Sequence, residues 1–164
     1  MAVAVALGAL AGMIAIVARI RADESTSGHL PFGSSIAASA PFGQFSEARV
    51  GVGTRCLRVL VASSVTQRVQ GLRDVRSLDP YDGMLFVFPS DTDARFTMAS
   101  TPLPLEATFF SARGTPVDDV SMSPCPKGSD ATCPAYAAKS RYRYALERPA
   151  GSGAAPGALG ACAG

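Results

Sequence analysis

The sequence contains no tryptophan and only one histidine, His29, among its 164 residues. A single histidine excludes the usual histidine-rich metal sites, and any Ser-His-Asp triad would depend on that one residue. His29 lies in a stretch rich in Ser, Gly and Pro, which predicts exposed coil without a catalytic role. The chain also has no G-x-S-x-G, P-loop or H-E-x-x-H motif. These absences favour a non-enzymatic protein and predict no catalytic residue, cofactor or metal ion.

Clustered positive charge is missing as well. The formal net charge is +2, and no block of Lys and Arg occurs anywhere in the chain. Proteins that bind nucleic acids usually carry a basic patch or stripe. The sequence therefore predicts no nucleic-acid partner.

The N-terminus is an uninterrupted apolar run, because residues 1–18 (MAVAVALGALAGMIAIVA) include no charged side chain. About 20 apolar residues suffice for a helix that spans a bilayer. Residues 1–21 are therefore predicted to form an N-terminal apolar helix that anchors the protein, with the membrane as partner of residues 1–18. A signal peptide is the alternative, although a basic n-region and an A-x-A-like cleavage site are not evident.

The remainder divides into a linker and a domain. Residues 22–54 are rich in Ser, Gly, Ala and Pro without a sustained period, which predicts a flexible linker. Residues 55–164 alternate short apolar runs with turn signals, which predicts one compact domain. Six strands and one short helix are expected, at Cys56–Ala62, Val65–Gly71 (the helix, after a Ser64–Gln67 capping box), Met84–Phe88, Arg95–Met98, Leu105–Ser111, Pro116–Met122 and Arg141–Glu147. The predicted fold class is mainly β, a small sandwich or barrel-like domain.

Cysteine is the most specific chemical signal, since all four cysteines fall within residues 55–164. A zinc site needs C-x2–4-C hooks and a redox pair prefers C-x-x-C, and neither spacing is present. Free buried thiols stay open as an alternative. The most economical disulfide scheme joins the local pair Cys125 and Cys133, and the end-to-end pair Cys56 and Cys162.

Disulfides favour an oxidising compartment, so the domain is expected on the extracytoplasmic side, either anchored or secreted. Arg19 and Arg21 argue the opposite way, because positive charge directly after an apolar run favours a cytoplasmic position for the C-terminal remainder of the chain. Two arginines are a weak bias, and the cysteines are given more weight.

The domain resembles a bacterial and archaeal family known as domain of unknown function 192. The matching segments are Arg68–Leu72 (R-x-x-G-L), Gly83–Phe88 (GMLFVF), Phe96–Pro102, Leu103–Glu106 (LPLE), Met122 and Tyr144–Gly151 (YALERPAG). The resemblance implies a β-sandwich-like fold and brings no established reaction, substrate or cofactor. Thr97, Ala99 and Ser100 depart from the family's usual F-W-M-K-N-T, in which Trp, Lys and Asn stand at these places.

The family-like segments suggest where a site would lie. Where they meet, five residues are candidates for ligand binding: Met84, Arg95, Met98, Thr101 and Glu106. The functional hypothesis is a non-enzymatic, membrane-tethered, extracytoplasmic β-domain that binds an unknown ligand or protein of the cell envelope. The alternative is an envelope hydrolase or lyase that uses Glu106 as acid or base.

Overall fold

A computed structural model describes residues 32–127, 129–152 and 157–163. The predicted N-terminal helix and His29 lie outside these residues. Across the described ranges, no helix has the length and apolar character needed to cross a membrane.

One open sheet of eight strands forms the body of the described part. The strands are β1 (Ile36–Ala37), β2 (Ser46–Val52), β3 (Arg55–Ala62), β4 (Gly83–Thr92), β5 (Phe96–Thr97), β6 (Leu105–Phe110), β7 (Pro116–Met122), β8 (Ala135–Tyr136), β9 (Tyr142–Pro149) and β10 (Leu159–Gly160). The main sheet runs β1-β2-β3-β4-β9-β6-β7, with β10 also paired to β2, while β5 and β8 form a separate two-stranded sheet. Only β3 and β4 pair in parallel within the main sheet.

The mainly-β class with one short helix is confirmed, and the main sheet stays open rather than closing into a barrel. Both faces of the sheet are covered. On one face Met84 and Phe86 join a cluster with Phe109, and on the other Leu85 packs with Val59. Because alternate residues of β4 enter different clusters, its run of apolar residues is buried on both sides, as the sequence predicted.

The described part of the predicted linker is ordered, so the linker prediction is wrong over residues 32–54. Strand β2 pairs along its whole length with β3, and Phe42 and Phe45 are buried in the core. The alternation in SEARVGV sends Ala48 and Val50 into the core. Seven alternating residues are a weak signal inside a Gly- and Ser-rich stretch, and tertiary pairing rather than local propensity determines this strand.

The helix α1 spans Val65–Gln70 and begins as predicted. The Ser64 hydroxyl accepts a hydrogen bond from the Gln67 amide, and the Gln67 side chain accepts one from the Ser64 amide in return. These two bonds satisfy donors that a helix start otherwise leaves open. Gly71 ends the helix with a positive φ of 48°.

Two disulfides close the described part of the chain. The long disulfide joins Cys56 to Cys162, and the short disulfide joins Cys125 to Cys133. This is the economical scheme considered from the sequence. No free cysteine occurs among the described residues.

Candidate functional site

A cavity of about 490 Å³ opens between helix α1, one face of the main sheet and the segment 94–98. This volume lies in the range of small-molecule sites. Most of its surface is apolar, and six of the side chains that line it are Val69, Phe86, Phe88, Phe96, Met98 and Leu105. Val65 and Val69 of α1 also line it, and both side chains are exposed to solvent.

Among the described residues, Glu147 is the one acidic side chain on the sheet side of this cavity. It lies on β9, where its backbone neighbours across the sheet are Met84 on β4 and Ala107 on β6. The residue is only 4% exposed, and no hydrogen bond or ion pair joins its side chain to another described residue. Because none of the described residues has a fully buried side-chain polar atom without a hydrogen bond, the carboxyl is not sealed from the cavity. Burial raises the pKa of its carboxyl to about 8, so at neutral pH the group is mostly protonated.

Aromatic rings surround the apolar part of the cavity. Phe86 and Phe96 meet edge to face with centroids 5.0 Å apart, and Phe96 meets Phe109 of the core at 5.5 Å. The guanidinium of Arg68 lies 5.1 Å from the centroid of the Phe88 ring. The rings of the wall are therefore packed against one another, and one of them already holds a cation against its face.

Three arginines line the cavity, and two of them are fixed by the protein. Arg68 donates to the carbonyl oxygens of Ser63 and Val87, and burial lowers its pKa. Arg73 pairs with Asp130 at 2.6 Å and donates to the Ala99 carbonyl. The third, Arg95, is exposed and has no partner among the described residues.

The short disulfide supports one wall of the cavity. Asp130 belongs to the loop that this disulfide closes, and its ion pair with Arg73 joins the loop to the segment after α1. Cys125 also exchanges backbone hydrogen bonds with Ser100 and Thr101. The loop and the wall segment 96–101 are thus tied together.

A hydrogen bond from Tyr142 on β9 ties the segment 94–98 to the main sheet. The hydroxyl of Tyr142 donates a 2.6 Å hydrogen bond to the Ala94 carbonyl, and the ring meets Phe109 and Phe88 edge to face. Burial is the main reason that the pKa of Tyr142 is raised well above its usual value, so the hydroxyl remains a donor.

The structure brings together three of the five candidate ligand residues: Arg95, Met98 and Thr101 all line the cavity. Met84 instead lies wholly buried in the core. Glu106 is directed away from the cavity, because Leu105 faces it and successive strand residues point to opposite sides. The Glu106 carboxylate accepts a long hydrogen bond of 3.4 Å from the Gly151 amide and lies across from Arg148.

Sequence reasoning missed Glu147 as a site residue, although the residue closes a predicted strand. Strict alternation from Tyr142 and Tyr144 would place Glu147 on the face opposite to both rings. In the structure those two tyrosines enter different core clusters, because the pairing of β4 with β9 is irregular between Val87 and Thr92. The sequence shows a carboxylate directly after the apolar pair Ala145 and Leu146. It does not show which face of the sheet that carboxylate occupies.

The part of the chain that the structure describes contains no candidate metal site. No group of three or more His, Cys, Asp and Glu side chains is arranged there to hold an ion. The cavity offers Glu147 alone, with Asp130 already paired to Arg73.

Comparison with known proteins identifies relatives of the domain. The model of the DUF192 family, described as "Uncharacterized ACR", matches residues 48–158. No curated protein matches. A crystal structure from Sinorhizobium meliloti, described as that of a candidate transcription regulator, is 29% identical with a TM-score of 0.60, covering 70% of this chain and 93% of that one. A protein of unknown function from Novosphingobium aromaticivorans is 18% identical with a TM-score of 0.63, covering 79% and 94%.

Proposed function

The chain belongs to the DUF192 family of uncharacterized proteins, so we propose its function from the cavity itself: a non-enzymatic, extracytoplasmic module that binds a small ligand there. The matched region 48–158 contains every residue that lines the cavity. The candidate site is thus part of the family domain and not of a segment added to it.

One observation carries this proposal, namely a largely buried carboxyl at the wall of an apolar cavity. Burial disfavours the ionised form of Glu147 and raises its pKa. None of the described residues has a side-chain polar atom that is fully buried without a hydrogen bond, so the carboxyl stays accessible from the cavity. A ligand placed there can bond to Glu147, which makes the arrangement more favourable for a binding site than for a plain core.

Two features support binding rather than catalysis. Acid–base chemistry on a sugar-like substrate uses two carboxyl groups on either side of the reacting bond. Of the described residues that line the cavity, only Glu147 and Asp130 are acidic, and Asp130 is held by Arg73. Glu106, the acid of the hydrolase alternative, lies outside the cavity, so no observation favours that reaction.

Location outside the cytoplasm is supported by the two disulfides, which persist in oxidising compartments. We also propose that residues 1–18 tether the domain to the membrane, and that its ligand or partner belongs to the cell envelope. A reporter active only outside the cytoplasm, fused to the C-terminus, tests this position. Reporter activity is expected, together with four cysteines that resist alkylation in the protein taken from cells.

The binding proposal is tested by a thermal-shift screen of the full chain against small envelope-derived compounds. Hits are repeated with Ala94→Trp, which places an indole at the cavity wall, and with Ile36→Trp as control. Ile36 is exposed on β1 and does not line the cavity. Ligands of the cavity are expected to lose their shift in Ala94→Trp only. Hits that persist unchanged in Ala94→Trp would contradict the proposal.

A further inference from the structure

We propose that the ligand of this cavity is a small amphipathic amine, whose ammonium group pairs with Glu147 while its apolar body lies against the phenylalanine rings. This inference rests on the proposed function and specifies the class of ligand. It follows from three properties of the cavity: the chemistry of its buried acid, the aromatic wall and the placement of the arginines.

The buried acid sets the first requirement. A carboxylate accepts hydrogen bonds only, and an ammonium group provides three donors. Pairing of the two also supplies a charge-assisted bond, which is stronger than a neutral one. An anionic group placed at Glu147 accepts at most one hydrogen bond from the protonated carboxyl and is repelled once that carboxyl ionises, whereas the pair with an ammonium group is charge-assisted. The ionised carboxyl of Glu147 therefore favours a cation.

The aromatic wall adds to this preference. Phe86, Phe88 and Phe96 line the cavity, and the face of a phenyl ring attracts positive charge. Arg68 already uses the Phe88 ring in this way. Phe86 and Phe96, which also line the cavity, provide apolar contact area for an alkyl or aryl body.

The three arginines do not oppose a cation at Glu147. Burial alone accounts for the raised pKa of Glu147, so no guanidinium acts on that carboxyl strongly enough to lower it. The charge of Arg73 is balanced by Asp130, and Arg95 is exposed to solvent, where its field is screened. Arg68 is held by the carbonyl oxygens of Ser63 and Val87, and its guanidinium lies over the Phe88 ring.

Binding of an amine carries a defined proton balance. At neutral pH Glu147 holds its proton, and the free amine is an ammonium ion. Formation of the pair requires the carboxyl to ionise, so its proton leaves to the buffer and the ammonium keeps all of its own. With a pKa of about 8, close to one proton is released per amine bound at pH 7.

The proton balance also predicts how affinity depends on pH. Affinity for the amine is expected to rise about tenfold per pH unit up to pH 8 and then to level off. The other charged groups that line the cavity are Arg68, Arg73, Arg95 and Asp130, and guanidinium groups stay charged across this range. On the same strand, the raised pKa of Tyr142 keeps that hydroxyl neutral.

The test uses isothermal titration of the full chain with hexylamine, hexan-1-ol and hexanoate, which share one alkyl body. Each titration is run at pH 7 in two buffers of different ionisation enthalpy, which reveals proton release. Hexylamine is expected to bind tightest and to release close to one proton. In Glu147→Gln its affinity is expected to fall about 30-fold or more, without proton release.

Matched controls separate this inference from the binding proposal. Glu106→Gln changes a carboxyl outside the cavity and is expected to bind hexylamine as the unchanged protein does. If hexan-1-ol or hexanoate binds as well as hexylamine, and Ala94→Trp abolishes that binding, the amine class is wrong and the binding cavity stands. If hexylamine binds equally to Glu147→Gln, or all three probes fail to bind, the inference is overturned. The pH profile of the unchanged protein gives a readout independent of any variant.

Discussion

Glu147 makes the stability of this domain depend on pH in a way that one isosteric substitution removes. Burial raises the pKa of the folded protein's carboxyl from an ordinary value of 4.5 to about 8. Between these values the folded protein binds a proton that the unfolded chain releases. The contribution of this group to the free energy of unfolding is therefore at its maximum below pH 4.5, and it is lost as the pH rises towards 8.

The size of this loss follows from the shift. One pKa unit corresponds to about 1.4 kcal/mol, so raising the pH from 5 to 8 is expected to remove about 3 kcal/mol of stability through Glu147. A domain of this size has only about 5–15 kcal/mol in total. Glu147→Gln keeps the shape and volume and does not titrate, so the variant is expected to gain about 3 kcal/mol relative to the unchanged protein over this range.

Urea unfolding followed by circular dichroism at pH 5, 6, 7 and 8 measures this difference, since the chain has no tryptophan. Other titrating groups, such as Asp118, whose pKa is lowered mainly by its hydrogen bond from Lys139, occur in both proteins and cancel. Glu106→Gln is the control for loss of a carboxyl. A difference between Glu147→Gln and the unchanged protein that stays constant from pH 5 to pH 8 would refute the reasoning.

Three further variants test what stabilises the fold around the sheet. Gly114→Ala is expected to lower the free energy of unfolding by at least about 1 kcal/mol, because Gly114 has a φ of 76° and an added Cβ would meet the Leu159 carbonyl. Gly43→Ala, whose added Cβ meets no atom, serves as control in the same urea titration. Tyr142→Phe is expected to cost about 1 kcal/mol through the bond to Ala94, and to speed amide exchange in the cavity wall. Replacing both cysteines of the long disulfide by serine is expected to lower the unfolding free energy by up to about 5 kcal/mol, since it closes 106 residues; unchanged stability would contradict the entropic account.

Local signals in the sequence predicted much of the sheet. They failed where pairing between strands determines the structure. The capping box starts α1 at Val65, and the apolar run in β4 is buried on both faces, because both depend on neighbours a few residues away. Strand β2 escaped prediction, since its place is set by pairing with β3. Closure of a sheet depends on contacts between distant strands, which periodicity does not report.

One departure from the family pattern has a backbone explanation. Ser100 stands where the family usually has Asn, and its φ is 58°, a left-handed conformation in which Asn is enriched. Its amide bonds to the Cys125 carbonyl, and its own carbonyl accepts from Asp74. The residue at this position serves the turn that joins the cavity wall to the disulfide loop. Loss of Asn here therefore says little about the ligand.

Thr97 is the departure that bears on the ligand, because its side chain lines the cavity where the family resemblance implies a tryptophan. An indole is far larger than a threonine side chain, so relatives with tryptophan are expected to have a narrower cavity. Thr97→Trp is accordingly expected to select by size: affinity for hexylamine falls more than affinity for propylamine. Thr97→Ser is the matched control, because it keeps the hydroxyl that accepts a bond from the Ala99 amide.

Titration of both amines into the two variants separates a steric effect from a loss of structure. A disturbed wall lowers the affinity for both amines alike, whereas a filled cavity lowers the affinity for hexylamine more than that for propylamine. Amide exchange of the segment 94–98 checks that the wall is intact in each variant. Equal losses for propylamine and hexylamine with an intact wall would mean that the alkyl body does not lie beside Thr97. The ligand would then extend along the face formed by Val65 and Val69, whose exposed side chains border the same cavity.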